Sequence, residues 1–214
     1  MSKIAIVIGA TGLVGSELVD CLAAHDNVNE VRTITRRPMH HESDKVLNHV
    51  VDFSQLDDCA HLFKGDFLFS CLGTTKALAK TIEAQRTVDL DYQFQAAELA
   101  KSNNVGHYLL VSSSGANERS YSAYLKMKGE LEQKVQILGF SKLSIFQPSL
   151  LLGNRPETRF AESLGAKVLP LLCRLPGLKK YRPINGQQVA AKMLLVSQTQ
   201  EQACRFYRLD KVFP

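Results

Sequence analysis

The sequence predicts an α/β fold with a doubly wound parallel sheet, and three observations support this prediction. Apolar runs rich in β-branched residues alternate with helical patterns over roughly the first 150 residues, as expected for parallel strands that are buried on both faces. A glycine-rich loop stands between the first run and the first helical pattern. The chain has 214 residues, of which 45% are hydrophobic, and this suits one domain with a sizeable core.

The predicted elements follow one another in the order that such a sheet requires. The first apolar run covers residues 3–8 and leads into the glycine loop, after which a helical pattern covers residues 13–24. Helical patterns also cover residues 87–101 and 121–138. Further strand-like runs cover residues 31–35, 46–51, 67–71, 108–112 and 143–146. This alternation of strand and helix is typical of a doubly wound sheet.

The C-terminal part of the chain has a different pattern. After residue 152 several prolines and glycines interrupt it, and only a helical pattern at residues 186–196 and a strand-like run at residues 205–209 stand out. We therefore expect residues 1–214 to form a single domain, in which residues 153–214 or so are a small C-terminal cap. The cap is expected to lie over one edge of the sheet and to complete a substrate pocket.

Composition and charge argue against several classes of protein. No run approaches the roughly 18 apolar residues that a membrane span needs, and the apolar run near the start is too short for a secretory signal. We therefore expect a cytoplasmic protein with no membrane partner. The net charge of +5 is a modest basic excess that favours anionic ligands. Nucleic-acid binding is not expected, because the basic pairs are separated and no aromatic residues are interleaved with them.

The cysteines and histidines show no metal-binding pattern. The five cysteines form no CxxC pair, and the six histidines lie at no ligand spacing. We expect no bound metal and interpret the cysteines as reduced core thiols. They are Cys21, Cys59, Cys71, Cys173 and Cys204.

The glycine loop has the spacing GxxGxxG and lies between a strand and an amphipathic helix. Glycines in that position allow a tight turn and bring the backbone close to a pyrophosphate, which sits on the free amides at the start of the helix. The alternative is that the glycines only form the turn from strand to helix. The residues expected to bind a dinucleotide here are Gly9, Thr11, Gly12, Leu13, Val14 and Gly15.

The turn after the second strand predicts which dinucleotide is bound. Proteins that bind NAD usually have an acidic residue about 20 residues after the glycine loop, where it binds the ribose 2′-hydroxyl. Residues 33–39 contain no acid, and a guanidinium can bind a 2′-phosphate with two parallel hydrogen bonds. We predict NADP with Arg36 as the first ligand and Arg37 as the second, a solvated basic turn being the alternative. Asp52 either accepts from the adenine amino group or caps a short helix that begins near Ser54.

A tyrosine and a lysine with helical spacing are the candidate catalytic pair. Tyr124 and Lys128 are four residues apart, so their side chains lie on one face of the predicted helix. A tyrosine can act as the acid in carbonyl reduction when a nearby ammonium stabilises its ionised form. The serines at residues 112–114 follow a predicted strand, at the edge where ligands of such sheets bind, and can donate to a substrate oxygen. The alternative for Tyr124 is a core aromatic.

Several segments together resemble one protein family. The glycine loop, SSSG at residues 112–115, YLKMK at 124–128 and FQPSLL at 146–151 are similar to motifs of atypical short-chain dehydrogenases/reductases. The segments VVDFSQLDD, CLGTT, VDLDY and AELAK closely resemble segments of the HIV Tat-interacting protein branch of this family and of its bacterial relatives. The resemblance covers nearly the whole chain and becomes weaker after about residue 159.

This resemblance implies an NAD(P)-binding Rossmann fold with NADP(H) as the cofactor. It implies that Tyr124 is the acid/base, that Lys128 binds the nicotinamide ribose and that Ser113 polarises the carbonyl, with Ser114 as the other candidate serine. Many short-chain dehydrogenases add an asparagine from the helix before the serine strand. Residues 87–102 contain no asparagine, which argues against a proton relay through that position.

The function expected from these residues is NADP(H)-dependent hydride transfer to or from a small carbonyl or alcohol, which the sequence does not identify further. One alternative is a regulatory protein that binds NADP(H) and acts through a protein partner. Another is a nucleotide-sugar epimerase, for which the C-terminal part is short. The resemblance also implies that the cofactor ribose and the nicotinamide are lined by Cys71, Leu72 and Gly73 and by Pro148, Ser149 and Leu150, respectively.

Overall fold

A parallel sheet of seven strands forms the centre of the fold. The computed structural model describes residues 3–152 and 179–214. The strands in this part of the chain are β1 (Lys3–Ile8), β2 (Val28–Thr35), β3 (Val46–Val50), β4 (Phe67–Ser70), β5 (His107–Val111), β6 (Lys142–Gln147), β7 (Leu151–Leu152), β8 (Ile184–Asn185) and β9 (Cys204–Arg208). The order in the large sheet is β3-β2-β1-β4-β5-β6-β9, and each pair is parallel. Strands β7 and β8 form a separate parallel pair.

Helices and helical turns connect these strands. The α-helices of the described residues are α1 (Gly15–Ala23), α2 (Lys76–Ala79), α3 (Ile82–Arg86), α4 (Tyr92–Ser102), α5 (Ala123–Ile137) and α6 (Gly186–Thr199). A π-helical turn at Thr87–Asp91 joins α3 to α4. Turns of 3₁₀-helix cover Phe53–Phe63, Lys179–Tyr181 and Leu209–Val212. Within the described ranges, none of the helices is both long enough and apolar enough to cross a membrane.

The doubly wound α/β fold that the sequence predicts is confirmed. Each predicted strand is present, with ends that move by a few residues. The largest extension is at β2, which begins at Val28 because this residue is buried in the core and continues the pairing with β1. The helix predicted at residues 87–101 begins as the π-helical turn Thr87–Asp91 and becomes α4 only at Tyr92.

Strand β1 shows how the sheet is buried on both faces. Ala5 and Val7 belong to the core on the side of α1 and α6, and Ile6 and Ile8 belong to the core on the side of α4 and α5. All four side chains are fully buried. Because neighbouring side chains of a strand point to opposite faces, only a continuously apolar run satisfies both cores.

The C-terminal elements differ from the expected cap. Helix α6 packs against α1, and β9 pairs with β6 as the last strand of the main sheet. The cause is the apolar face of α6, where Val189, Met193 and Val196 are buried in the same core as α1. Strand β9 therefore extends the sheet, and α6 covers one of its faces. The remainder of the predicted cap, residues 153–178, lies outside the described residues.

A buried polar cluster holds β9 in the sheet. The Ser144 hydroxyl on β6 lies 2.7 Å from His107 Nε2 on β5 and donates to Gln200 Oε1 at 2.6 Å. The Tyr207 hydroxyl on β9 donates to the same oxygen at 3.1 Å. Burial lowers the pKa of His107 to about 4, so the ring is neutral at physiological pH and no unpaired charge is buried.

Candidate functional site

A cavity of about 850 Å³ lies at the carboxyl edge of the sheet. It is located where the strand order reverses, with β2 and β4 on either side of β1, and ligands of open α/β sheets bind at such a point. Its volume is within the range of cofactor sites. Its described walls include residues 9–12 after β1, residues 34–38 at the end of β2 and residues 71–74 after β4.

The glycine loop lies tightly against the loop that follows β4. Gly9 has a φ of +78°, and a Cβ there would lie 2.5 Å from backbone atoms of Cys71 and Leu72. A Cβ at Gly15 would lie 2.1 Å from the Gly9 carbonyl oxygen, which also accepts from the Gly12 amide at 2.9 Å. The backbone therefore requires glycine at both Gly9 and Gly15, because no side chain fits there.

The residues predicted to bind a dinucleotide along this loop fall into two groups. Val14 and Gly15 are buried, and Val14 belongs to the core that α1 shares with α6. The Leu13 carbonyl oxygen would lie 2.1 Å from a Cβ at Gly186, the first residue of α6. These residues support the loop and are not among the described residues of the cavity wall. The residues that do line the cavity are Gly9, Thr11 and Gly12.

Arg36 and Arg37 are exposed and line the same cavity. Asn48 holds the turn that carries them, because its side-chain amide donates to Thr35 Oγ1 at 2.8 Å and the Thr35 hydroxyl donates to the Arg37 carbonyl at 2.8 Å. Neither arginine forms an ion pair with any described residue. Two uncompensated guanidinium groups at a cavity that also contains the glycine loop favour an anionic ligand.

Asp52 caps the 3₁₀-helical turn Phe53–Phe63, which is one of the two roles predicted for it. Its Oδ1 accepts from the amide and from the hydroxyl of Ser54, each at 2.8 Å. These hydrogen bonds, the one from the amide first, hold the pKa of the Asp52 carboxyl below its usual range. The next residue, Phe53, lines the cavity. A contact between Asp52 and adenine stays a prediction.

The residues expected near the ribose and the nicotinamide are only partly brought together. Residues 71–73 line the cavity. Burial raises the pKa of the Cys71 thiol to about 12, so the thiol is neutral and a poor nucleophile. Pro148 is buried, and its carbonyl oxygen accepts from the Ser114 amide at 3.0 Å. Pro148 and the exposed Leu150 are not among the described wall residues.

The predicted pair Tyr124 and Lys128 lies on one face of α5. Lys128 Nζ is 6.0 Å from the centroid of the Tyr124 ring. Tyr124 is partly exposed, whereas the Lys128 side chain is only 3% exposed. A buried ammonium needs a partner of opposite charge. Lys128 has one in Asp89, whose carboxylate is 3.1 Å from Nζ and fully buried.

Asp89 is the site residue that the sequence analysis missed. It belongs to the π-helical turn Thr87–Asp91, within residues 87–102, which contain no asparagine. Its Oδ2 accepts from the Thr74 amide at 3.3 Å, and a Cβ on Gly73 would lie 3.5 Å from its Oδ1. The carboxylate thus connects Lys128 with a wall of the cavity. An acidic residue within an apolar helical stripe is a signal that could have found it, since such a charge needs a buried partner.

The three serines after β5 have different surroundings. Ser112 is buried, and its hydroxyl donates to Glu132, which also accepts from Gln147. Burial raises the pKa of the Glu132 carboxyl. Ser113 is partly exposed, and its hydroxyl lies 3.5 Å from the Ser114 carbonyl oxygen, which is long for a hydrogen bond. Ser114 lines a second cavity of about 470 Å³.

Comparison with known proteins identifies the family. A family described as NAD(P)H-binding matches residues 9–144, more than half of the chain. The chain is also 40% identical over 170 residues to the protein HTATIP2 of Rattus norvegicus, with 78% of this chain and 70% of the rat protein covered. The chain belongs to the atypical short-chain dehydrogenase/reductase family. The family resemblance predicted from the sequence is therefore confirmed, and NAD(P) binding is a property of this family.

Two solved structures agree with the fold. MoeE5 in complex with UDP-glucose and NAD has a TM-score of 0.73 at 14% identity, with 97% of this chain and 79% of that chain covered. UDP-N-acetylglucosamine 4-epimerase from Methanobrevibacter ruminantium M1, in complex with UDP-N-acetylmuramic acid, has a TM-score of 0.74 at 16% identity, with 97% and 77% covered. At such identities the likeness concerns the fold alone.

The fungal relatives contradict the expected cytoplasmic location. The protein FMP52 of Candida glabrata, 35% identical over 196 residues with 88% of this chain and 83% of that protein covered, is named mitochondrial. The relatives in Emericella nidulans and Debaryomyces hansenii carry the same description. The cytoplasmic prediction is therefore wrong. It rested on a test for a secretory signal, and that test says nothing about import into mitochondria.

We expect substitutions at two glycines of the loop to have different effects. Gly9→Ala should lower the stability of the fold by about 1–3 kcal/mol or more, because the residue has a positive φ and its new Cβ would collide with backbone. Gly12→Val should leave the protein folded and abolish NADPH binding, because Gly12 lines the cavity. Thermal denaturation and NADPH titration measure the two effects. Unchanged NADPH affinity in folded Gly12→Val would mean that the loop only forms a turn.

The buried ion pair predicts a second result. Lys128→Met should cost about 3–5 kcal/mol of stability, because it leaves the Asp89 carboxylate buried without a cation. The double variant Asp89→Asn with Lys128→Met should recover most of this loss, because it removes both charges. Urea denaturation of the two variants and the wild type tests this. Equal stability of the single and double variants would show that the unpaired Asp89 carboxylate is not the cause of the stability loss in Lys128→Met.

Proposed function

We propose that the protein is an NADP(H)-dependent oxidoreductase that transfers hydride to or from a small carbonyl or alcohol. The observation that carries this proposal is the position of Lys128. Its ammonium is buried against Asp89, which accepts from the Thr74 amide in the wall of the large cavity. The same lysine lies beside the Tyr124 ring. A fixed positive charge is thus held between a cofactor-sized cavity and a phenol that can donate a proton.

The residues of the large cavity fit NADP(H). Gly9 forms the tight turn against residues 71 and 72, and Gly12 lines the cavity beside the start of α1, where a pyrophosphate would bind. Arg36 and Arg37 are the unpaired cations of the described wall and are suited to a 2′-phosphate. When NADP(H) is bound, the nicotinamide supplies or accepts the hydride. The cavity's thiol, Cys71, takes no part in this chemistry, because burial keeps it protonated.

Three side chains of the protein are proposed to stabilise or neutralise the negative charge that develops on the substrate oxygen. In the direction of reduction, the Tyr124 hydroxyl donates a proton to that oxygen. The Lys128 ammonium stabilises the negative charge left on the phenol. The Ser113 hydroxyl is available to donate a hydrogen bond to the same oxygen as charge develops, because its neighbour at 3.5 Å holds it weakly. In the direction of oxidation, the proton returns to Tyr124.

Close packing keeps the serine loop next to α5. The Asn117 amide donates to the Leu125 carbonyl at 3.1 Å. A Cβ at Gly129 would lie 2.3 Å from backbone atoms of Asn117 and Glu118. The loop therefore cannot move away from the helix that carries Tyr124 without losing these contacts, and this supports a shared site.

Neither alternative function has comparable support. The structures that resemble the chain include proteins solved with UDP-sugars, but identities of 14% and 16% support the fold and not the substrate. A regulatory protein that only binds NADP(H) would have no need of an acid beside a buried ammonium. The mitochondrial names of the fungal relatives make that organelle the first place to look for substrates.

Cofactor choice is tested at the basic turn. Arg36→Asp should weaken NADPH binding by about ten- to a hundredfold and change NADH binding little, because the lost charge-assisted hydrogen bonds are worth roughly 1.5–3 kcal/mol. Arg119→Asp, the same charge change at a side chain that is 90% exposed, is the matched control. Calorimetry measures both affinities. Wild-type protein that binds NADH as tightly as NADPH would contradict the assignment.

Catalysis is tested at Tyr124. Tyr124→Phe should leave NADPH affinity nearly unchanged and lower kcat by about 10² to 10⁴, as expected when a general acid is lost. Tyr121→Phe is the matched control, because Tyr121 is wholly exposed just before the same helix. The measurement is NADPH oxidation in a screen of aldehydes, ketones and quinones. Tight NADPH binding without turnover of any of them would favour the regulatory alternative.

A further inference from the structure

The second cavity lies at the carboxyl ends of β5, β6 and β9. Its described walls include Ser114 after β5, Gln147 at the end of β6, Arg208 at the end of β9, and Tyr181. Ser114 directly follows Ser113, the residue proposed to contact the substrate oxygen. A cavity at this edge, next to the serine loop, is therefore placed to hold the part of a substrate that is remote from its carbonyl.

A chain of buried polar groups ends at Arg208. The Gln147 amide nitrogen donates to both carboxylate oxygens of Glu132, at 2.9 and 3.0 Å. Gln147 and Glu132 are both 6% exposed. Because this nitrogen is bound to Glu132, the amide oxygen of Gln147 is left for Arg208, and it accepts from Arg208 Nε at 3.0 Å. The orientation of the guanidinium is thus set from the interior of the protein.

The other side of the guanidinium has no partner among the described residues. Arg208 forms no ion pair within residues 3–152 and 179–214, and with these residues it forms a hydrogen bond only through Nε. Its guanidinium carbon lies 4.8 Å from the centroid of the Phe206 ring. An arginine held at Nε and beside an aromatic ring presents its two terminal nitrogens as a fixed pair of donors, which matches two oxygens of a carboxylate or a phosphate.

We infer that the second cavity binds an anionic group of the substrate, a carboxylate or a phosphate, through Arg208, and that Gln147 is the positioning residue. This inference rests on the proposed function for the carbonyl chemistry, but the anion site itself does not depend on turnover. It assigns the substrate to the class of small carbonyl compounds that carry a negative charge. The anionic end would bind at β9 and the carbonyl would lie at Ser113.

Paired probes that differ in charge test this substrate class. With NADPH, succinic semialdehyde should be reduced with a kcat/KM about ten- to a hundredfold higher than its methyl ester. Glyceraldehyde phosphate and glyceraldehyde form the second pair, so the two pairs show whether the site prefers a carboxylate or a phosphate. A preference in either pair supports the anion site. Equal kcat/KM within both pairs overturns it, while the turnover itself would still support the proposed function.

Variants on β6 and β9 locate the site. Arg208→Met should abolish the preference for the anionic probe over the neutral probe. Arg205→Met is the matched control, because this substitution removes the same charge from the same strand. Arg205 is not among the described residues of the cavity wall. Gln147→Met should raise KM for the anionic probe with little change in kcat for the neutral one. An anionic preference that survives Arg208→Met overturns the assignment.

A binding measurement separates this inference from the proposed function. Calorimetry of Tyr124→Phe loaded with NADP⁺ should detect binding of succinate or of glycerol phosphate, and Arg208→Met should weaken that binding by about ten- to a hundredfold. Binding of either anion that depends on Arg208 supports the anion site even if no carbonyl compound is turned over. Binding that is absent for both succinate and glycerol phosphate, or that is unchanged by Arg208→Met, overturns it even if the protein proves to be a reductase.

Discussion

The buried ion pair between Asp89 and Lys128 is the constraint on which the site depends. Burying either charge alone would be very unfavourable, so each residue fixes the other. Asp89 comes from the π-helical turn before α4, and Lys128 comes from the middle of α5. Because the Asp89 carboxylate also accepts from Thr74, the pair joins a wall of the large cavity to the helix that carries Tyr124. The geometry of the proposed chemistry is therefore set by one electrostatic contact in the interior.

Local patterns in the sequence were enough to predict most of the fold. The continuous apolar run predicts strand β1, and the tight turn between that strand and α1 explains why position 9 must be glycine. The position of β9 as the last strand of the sheet was not predicted. It depends on contacts such as that between Tyr207 and Gln200, which the pattern of apolar residues does not reveal. Asp89 was missed for a similar reason. Its partner is distant in the sequence, and the π-helical turn that orients it has no recognisable pattern.

In the candidate site, too, residue spacing predicts some features and not others. The Tyr124 and Lys128 spacing gave a shared helix face, which depends only on helical geometry. The run of serines gave a position at the edge of the sheet, but it did not say which serine is available. Ser112 is used by Glu132, and Ser114 belongs to the second cavity. Only the surrounding side chains decide this, so residue type and spacing leave such a choice open.

The contact between the glycine loop and α6 has a consequence for the order in which the protein can be made. Gly186 lies so close to the Leu13 carbonyl that a single Cβ would not fit between them. The loop near the start of the chain thus rests on a helix near its end. During synthesis, a chain that has emerged only as far as β6 has the loop but not this support. We therefore expect the nucleotide to be held firmly only after α6 has been synthesised and has docked against the loop.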